Sequence, residues 1–167
     1  TGKVPASGDG VLVTAGTRVS YDVVSDAKIQ CVDVEGALVF RHDRSTRMNV
    51  GTVTVLETGR LEVGTVDTPI AADVTAEIVI LDQPVDTTRD PEQLTRGLVG
   101  LGTVRMHGAL KTPTFSRVIV EPLAGQTSLR LEQTVVGWNV GDTLVLPDTR
   151  QLLQSERGES YLPQWEE

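Results

Sequence analysis

Two histidines are the side chains in this sequence whose ionisation suits general acid or base catalysis near neutral pH. His107 lies in a stretch that alternates polar and apolar residues, so a strand there places Arg105 and His107 on its polar face. No partner carboxylate is identifiable for His107, which favours a structural role in which its ring satisfies a backbone group. His42, within the sequence RHDR, is expected in a solvated loop.

Carboxylate pairs are the second chemical feature, because glycoside hydrolysis uses two acidic side chains on either side of the scissile bond. Asp43 and Asp82 join His107 as the candidate catalytic residues. Glu62 is instead expected to pair with Arg60 on an outward, solvated face. An acidic chain has many carboxylates, so the sequence favours a non-catalytic interpretation. The acidic residues that successive strands would bring together are Glu35, Asp43, Glu57, Glu62 and Asp82.

Aromatic and basic side chains are the candidate ligand-binding groups. Trp138 and Trp165 have flat faces that suit stacking on sugar rings, and Arg105 is the candidate polar contact. Trp138 lies in the sequence GWNVGD, between two turn-forming glycines, which favours a packing role for its indole. Arg105 and Trp138 are therefore the residues to examine for a bound ligand.

A metal site would have to use the acidic side chains of one predicted loop. Asp86, Asp90 and Glu92 resemble a calcium-binding loop loosely, and calcium is the only ion that the sequence suggests. These residues lack the ligand spacing and central glycine of an EF-hand, so the sequence favours a solvated loop without a metal.

The charge of the chain excludes several classes of partner. A net charge of -8 and a pI near 4.8 oppose nucleic-acid binding, which depends on Lys and Arg replacing phosphate counterions. The same charge opposes a polyanionic ligand unless the basic residues gather on one face. No apolar run approaches the roughly 20 residues of a membrane span. No charged and then apolar leader sequence precedes Thr1, so we expect any signal peptide to have been removed. The sequence has no Walker loop, nucleophile elbow, zinc-ligand spacing or glycosylation sequon, and we expect no cofactor.

The elements that would hold these residues are short strands. Hydrophobic residues make up 39% of the chain but aromatic residues only 4%, so Val, Leu, Ile and Ala supply the core and favour an all-β fold. A unit of strand, glycine and strand recurs, and its corner glycines Gly16, Gly36 and Gly59 have nearly even spacing. This pattern predicts a glycine-cornered coil like a parallel β-helix or solenoid, while a β-sandwich stays open as the alternative. The units are Val11–Val23, Val32–Phe40, Val53–Val63 and Leu98–Gly108.

Other segments give more local predictions. Ala76–Leu81 is continuously apolar apart from its glutamate, and predicts a strand buried on both faces. The segment 82–96 predicts a long loop, with a short helix over Pro91–Thr95. Strands are predicted over Ser116–Glu121 and Ser128–Glu132. The only cysteine, Cys31, is expected to be buried as a small hydrophobic residue.

The order of the glycine motifs resembles that of the G8 domain, a family named for eight recurring glycines. The resemblance covers roughly residues 3–150, and residues 151–167 are expected to be a connecting loop towards a continuing β-helix. It implies an all-β domain that abuts a right-handed parallel β-helix in extracellular and cell-surface proteins. These include proteins linked to hyaluronan binding and depolymerisation and fibrocystin-like proteins. The motifs are VPASGD, AGTRV, VEGALVF, GRLEVGT, MHG and WNVGDTLVL.

These features together predict a non-catalytic module of a larger secreted or cell-surface protein, with a carbohydrate-related role. Its expected partners are the rest of the parent chain, an adjacent β-helical chain and polysaccharide. One alternative is part of a hyaluronan-like polysaccharide depolymerase, and another is a structural repeat of an adhesin or surface fibre. We also expect the protein to continue beyond Glu167 or to pair with another chain there, because unpaired sheet edges are prone to aggregation.

Overall fold

The computed structural model describes residues 4–84, 87–88 and 96–147, together with the backbone of residues 165–166. Within these ranges every regular element is a β-strand and none is a helix, which confirms the all-β prediction. The chain divides into two compact units, Thr1–Leu110 and Lys111–Glu167. The short helix predicted over Pro91–Thr95 lies outside the described residues.

The first unit contains two sheets, and all of its described strand pairs are parallel. Successive strands alternate between the two sheets, except that β7 and β8 both belong to the first. The first sheet consists of β1 (Gly10–Val13), β3 (Val24–Val34), β5 (Thr46–Val55), β7 (Ala76–Ile80) and β8 (Gly97–Gly100). The second sheet consists of β2 (Arg18–Tyr21), β4 (Ala37–Phe40), β6 (Arg60–Val63) and β9 (Thr103–Met106). Each of the four predicted units of strand, glycine and strand corresponds to two consecutive strands, one in each sheet. These are β1 and β2, β3 and β4, β5 and β6, and β8 and β9.

The core of the first unit is built from apolar residues that occupy the same register position on neighbouring strands. Period-two alternation points these side chains inwards and leaves the intervening ones outside. Side chains from both sheets meet in one hydrophobic cluster, and Val34, Val55 and Leu61 are fully buried in it. The aligned rows are Val13, Val34 and Val55 in the first sheet, and Leu38, Leu61 and Val104 in the second.

Glycine is required at the corners that join β3 to β4, β5 to β6 and β8 to β9, because the backbones of neighbouring corners touch there. A β-carbon added to Gly36, Gly59 or Gly102 would lie well under 3.0 Å from a carbonyl oxygen of the preceding corner. For Gly59 that oxygen belongs to Val34, and for Gly102 it belongs to Leu56. Close backbone packing therefore explains Gly36 and Gly59, whereas Gly16 meets no atom within 4 Å and instead adopts a positive φ of 74°.

Two local predictions about burial are wrong or only partly met. β7 forms as predicted, but Val79 and Ile80 are 37% and 40% exposed, so the strand is not buried on both faces. Among the described strands β7 pairs with β5 alone, which leaves β7 at an edge of the sheet. Cys31, in β3, is half-buried and makes contacts within the structure.

The second unit has little regular structure among its described residues. The strands predicted over 116–121 and 128–132 reduce to a single antiparallel bridge between Val118 and Leu131. Apolar residues in these segments are largely exposed, so no buried face is available to extend the pairing. Two short strands, β10 (Leu146–Pro147) and β11 (Trp165–Glu166), pair antiparallel.

A glycine-to-alanine comparison tests the close packing at the corners. We expect Gly59→Ala to lower the free energy of unfolding by about 2–3 kcal/mol, because backbone atoms must shift to admit the methyl group. Gly108→Ala is the matched control, since a β-carbon there meets no atom within 4 Å and the residue has no positive φ. Urea unfolding followed by circular dichroism measures both. Equal stability of the two variants would contradict tight corner packing.

Candidate functional site

The outward face of the second sheet carries an alignment of charged residues. Period-two alternation turns every second residue of these four strands away from the core. One outward row aligns Arg18 on β2 with Ala37 on β4 and Arg60 on β6. The neighbouring row aligns Glu62 on β6 with Arg105 on β9. Three arginines of this acidic chain therefore lie on one face, although they are distant from one another in the sequence.

Glu62 is buried although it belongs to the outward face. Only 6% of the residue is exposed, which is unusual for a carboxylate unless other groups compensate its charge. Its Oε1 lies 3.6 Å from Arg60 Nη1, and its Oε2 lies 3.7 Å from Arg18 Nη1. The predicted pair with Arg60 is confirmed, but the prediction that Glu62 is solvated is wrong.

The register explains how Arg18 reaches a carboxylate two strands away. Adjacent strands lie about 4.8 Å apart, so the arginine side chain must pass over β4 to approach β6. The residue aligned with Arg18 on β4 is Ala37, whose methyl group leaves room for a long side chain. A pattern within one strand gives no sign of this contact, which is why sequence reasoning missed it.

A cavity of about 390 Å³ opens beside Glu62, with Arg18 and Arg41 in its lining. The turn Thr65–Thr68 forms part of its wall, and hydrogen bonds within the turn fix its geometry. Thr65 N donates to Thr68 O at 2.9 Å, and the two hydroxyl groups lie 2.8 Å apart. Gly64 begins the turn with a positive φ of 74° and packs against the carbonyl of His107. The cavity is therefore polar and has a fixed wall.

The Arg41–Asp43 pair lies at the end of β4. Arg41 Nε donates to Asp43 Oδ1 at 2.8 Å, and Arg41 Nη2 donates to Oδ2 of the same carboxylate. These hydrogen bonds lower the pKa of Asp43 from 3.8 to about 2, with a smaller contribution from Arg44. Asp43 is therefore ionised at neutral pH and has no proton to donate as a general acid.

The remaining catalytic candidates are His107 and Asp82. His107 follows β9 and is half-buried, and its backbone N–H donates to Val63 O at 2.8 Å. Its carbonyl accepts a hydrogen bond from Ile70 N at 2.8 Å. Asp82 is exposed in the segment after β7. Among the described residues, no hydrogen bond or ion pair joins His107, Asp43 and Asp82.

Other candidate residues have separate positions. Arg105 is exposed beside Glu62. Trp138, in the second unit, donates from Nε1 to Pro113 O at 2.9 Å and lines a largely apolar cavity of about 440 Å³. No cluster of three metal-binding side chains is present in the part of the chain that the structure describes. The metal candidates Asp86, Asp90 and Glu92 and the side chain of Trp165 lie outside that part.

Comparison with known proteins identifies the family. The profile of the G8 domain matches residues 1–119, which include all of the paired strands of the first unit. The chain belongs to the G8 domain family. Fibrocystin from Canis lupus familiaris is 28% identical over 145 residues, which are 86% of this chain and 4% of that relative. No solved structure matches the G8 chain. None of its described segments forms a helix that is long and apolar enough to cross a membrane.

The titration of Asp43 tests the electrostatics at the edge of the cavity. We expect its carboxyl group to titrate near pH 2, and Arg41→Gln to raise this pKa towards 3.8, because the forked hydrogen bonds are lost. The pair contributes stability fully above the unfolded pKa and loses it as the pH falls through about 2. Carbon-13 NMR of the side-chain carboxyl group measures the pKa.

Arg44→Gln is the control for this titration, because Arg44 Nε lies 4.0 Å from Asp43 Oδ1 and Arg44 makes the smaller contribution. It should raise the pKa less than Arg41→Gln does. An Asp43 pKa that does not respond to Arg41→Gln would refute the assigned cause.

Proposed function

We propose that this G8 chain is a non-catalytic module of a larger extracellular or cell-surface protein, in which it joins further β-structure. The observation that carries the proposal is the unpaired edge of both parallel sheets in the first unit. β7 and β8 each pair with β5, and β9 pairs with β6, so the outer sides of these strands have no neighbouring strand among the described residues. Met106 is 50% exposed at this edge although it aligns with the core residue Val63.

Parallel pairing supports a coil to which further turns can be added. Sandwich domains mostly pair their strands antiparallel, whereas every strand pair described in the first unit is parallel and β1 to β6 alternate between two sheets. In such a coil each new turn repeats the register of the last. The chain spans about 4% of the length of the fibrocystin relative, which is consistent with a role as one module among many.

A carbohydrate partner is the second part of the proposal. The G8 resemblance implies proteins that act on or bind extracellular polysaccharide, and the outward face of the second sheet supplies polar groups suited to such a partner. Arg18, Arg60 and Arg105 lie on that face although the chain has a net charge of -8. Glu62 lies on the same face between Arg18 and Arg60, so the face offers both hydrogen-bond donors and an acceptor to the hydroxyl groups of a sugar.

An activity assay separates the non-catalytic module from a depolymerase. The full chain and its parent protein are incubated with hyaluronan and with neutral polysaccharides, and new reducing ends are measured. We expect no release by this chain alone, because no hydrogen bond or ion pair joins His107, Asp43 and Asp82 among the described residues. Turnover by the chain, abolished in a His107→Ala variant that remains folded, would establish the depolymerase alternative instead.

The open sheet edge gives a second prediction. We expect the isolated chain to self-associate with rising concentration, and Met106→Lys to reduce this, because a charge at an edge opposes strand addition. Val66→Lys is the control, since Val66 is also exposed but lies in the turn beside the cavity. Sedimentation velocity measures the association. A wild-type chain that stays monomeric, and is no more stable within its parent, would overturn the proposed junction.

A further inference from the structure

We propose that the cavity beside Glu62 binds adjacent hydroxyl groups of an uncharged sugar residue, with Glu62 as acceptor and Arg18 as donor. This inference rests on the proposed carbohydrate-related function and assigns it a location and a ligand class. The site comprises the Glu62 carboxylate, the Arg18 guanidinium and the wall formed by Thr65–Thr68.

The Glu62 carboxylate has unused hydrogen-bonding capacity. Its two arginine neighbours lie 3.6 and 3.7 Å away, which is beyond the usual range of an N–H···O hydrogen bond. No hydrogen bond to either carboxylate oxygen occurs among the residues that the structure describes. Few water molecules can reach this carboxylate, because its side chain is only 8% exposed, and it lines the cavity. A ligand in the cavity that donates hydrogen bonds can therefore supply partners for its oxygens.

Arg18 supplies the complementary hydrogen-bond donors. Its guanidinium carries five N–H donors, and within the described chain none of them reaches an acceptor at hydrogen-bond distance. An unfilled acceptor and unfilled donors thus lie 3.7 Å apart at one cavity. A hydroxyl group both donates and accepts, so adjacent hydroxyl groups on a ring can bind both side chains at once.

The local charges favour a neutral ligand over an ion. A cation would meet the guanidinium groups of Arg18 and Arg60 beside Glu62. An anion would be repelled by the Glu62 carboxylate. That carboxylate also already offsets part of the positive charge of both arginines. Arg41 is likewise occupied by Asp43. Opposed charges at close range penalise either kind of ion, whereas an uncharged polyol avoids both penalties.

The size and walls of the cavity fit a single sugar residue. Its volume of about 390 Å³ lies near the lower end of the roughly 300–1,000 Å³ typical of small-molecule pockets. The hydroxyl groups of Thr65 and Thr68 are held 2.8 Å apart, so that side of the cavity is ordered before a ligand arrives. A fixed wall and a charged donor–acceptor pair are the elements of a polar binding site.

The test uses the full 167-residue chain. Nitrogen-15 NMR titrations use xylotriose, cellotriose and mannotriose as neutral probes, and hyaluronan tetrasaccharide and trigalacturonate as acidic probes. At least one neutral probe should shift the signals of Thr65, Thr68 and the Arg18 side chain. Glu62→Gln should weaken that binding about tenfold or more, since it replaces a charged acceptor with a neutral amide. Glu77→Gln is the matched control, because Glu77 pairs with Arg47 on the first sheet outside the cavity.

Arg18→Gln provides a second variant if Glu62→Gln fails to fold, because Arg18 is largely exposed, and it too should weaken the neutral probe. Acidic probes that bind at this cavity, and bind more tightly after Glu62→Gln, would overturn the inference while leaving a carbohydrate function in place. Binding of a neutral probe that neither variant affects would also overturn it. Failure of every neutral and acidic probe to bind would remove both the inference and the carbohydrate part of the proposed function.

Discussion

Backbone contact at the glycine corners is the constraint on which the rest of the first unit depends. Gly36, Gly59 and Gly102 have no β-carbon, so the corners can stack closely enough for backbone amides to donate hydrogen bonds to the preceding corner. An added β-carbon would clash there. Arg60 N, for example, donates to Gly36 O at 2.8 Å. This stacking fixes the register of the strands beside the corners, whereas the register of β3 with β5 shifts farther away, between Val24 and Lys28. Core residues consequently align with core residues, and outward residues align with outward residues.

The same register creates the chemistry of the outward face. Glu62 is buried because Arg18 and Arg60 approach it from different strands and because the Thr65–Thr68 turn borders the same cavity. Each guanidinium offsets part of the cost of removing the carboxylate from water, but the geometry leaves its hydrogen bonds unmade. The stacking and the proposed binding site are therefore coupled, since a shift of one strand would separate these charges.

The sequence predicted the features that depend on neighbours close along the chain. Period-two alternation and corner glycines marked strands such as β4 and β6, and the order of the glycine motifs marked the family. Burial of Glu62 could not be predicted, because it depends on a contact with Arg18 across two strands. The exposure of Ile80 was likewise hidden, since continuous apolar sequence does not reveal that β7 lies at a sheet edge. Long-range register, which one sequence does not specify, accounts for both differences.

Hydrogen exchange at the corner amides tests the central claim of glycine-dependent stacking most directly. The amides of Ala37, Arg60 and Thr103 donate to carbonyl groups of the preceding corner at 2.8–3.0 Å. They should therefore exchange far more slowly than the amide of Val66 in an exposed turn. In a folded Gly59→Ala variant, exchange at Arg60 and Thr103 should accelerate. Exchange at these amides as fast as at Val66 in the unmodified chain would contradict the stacking.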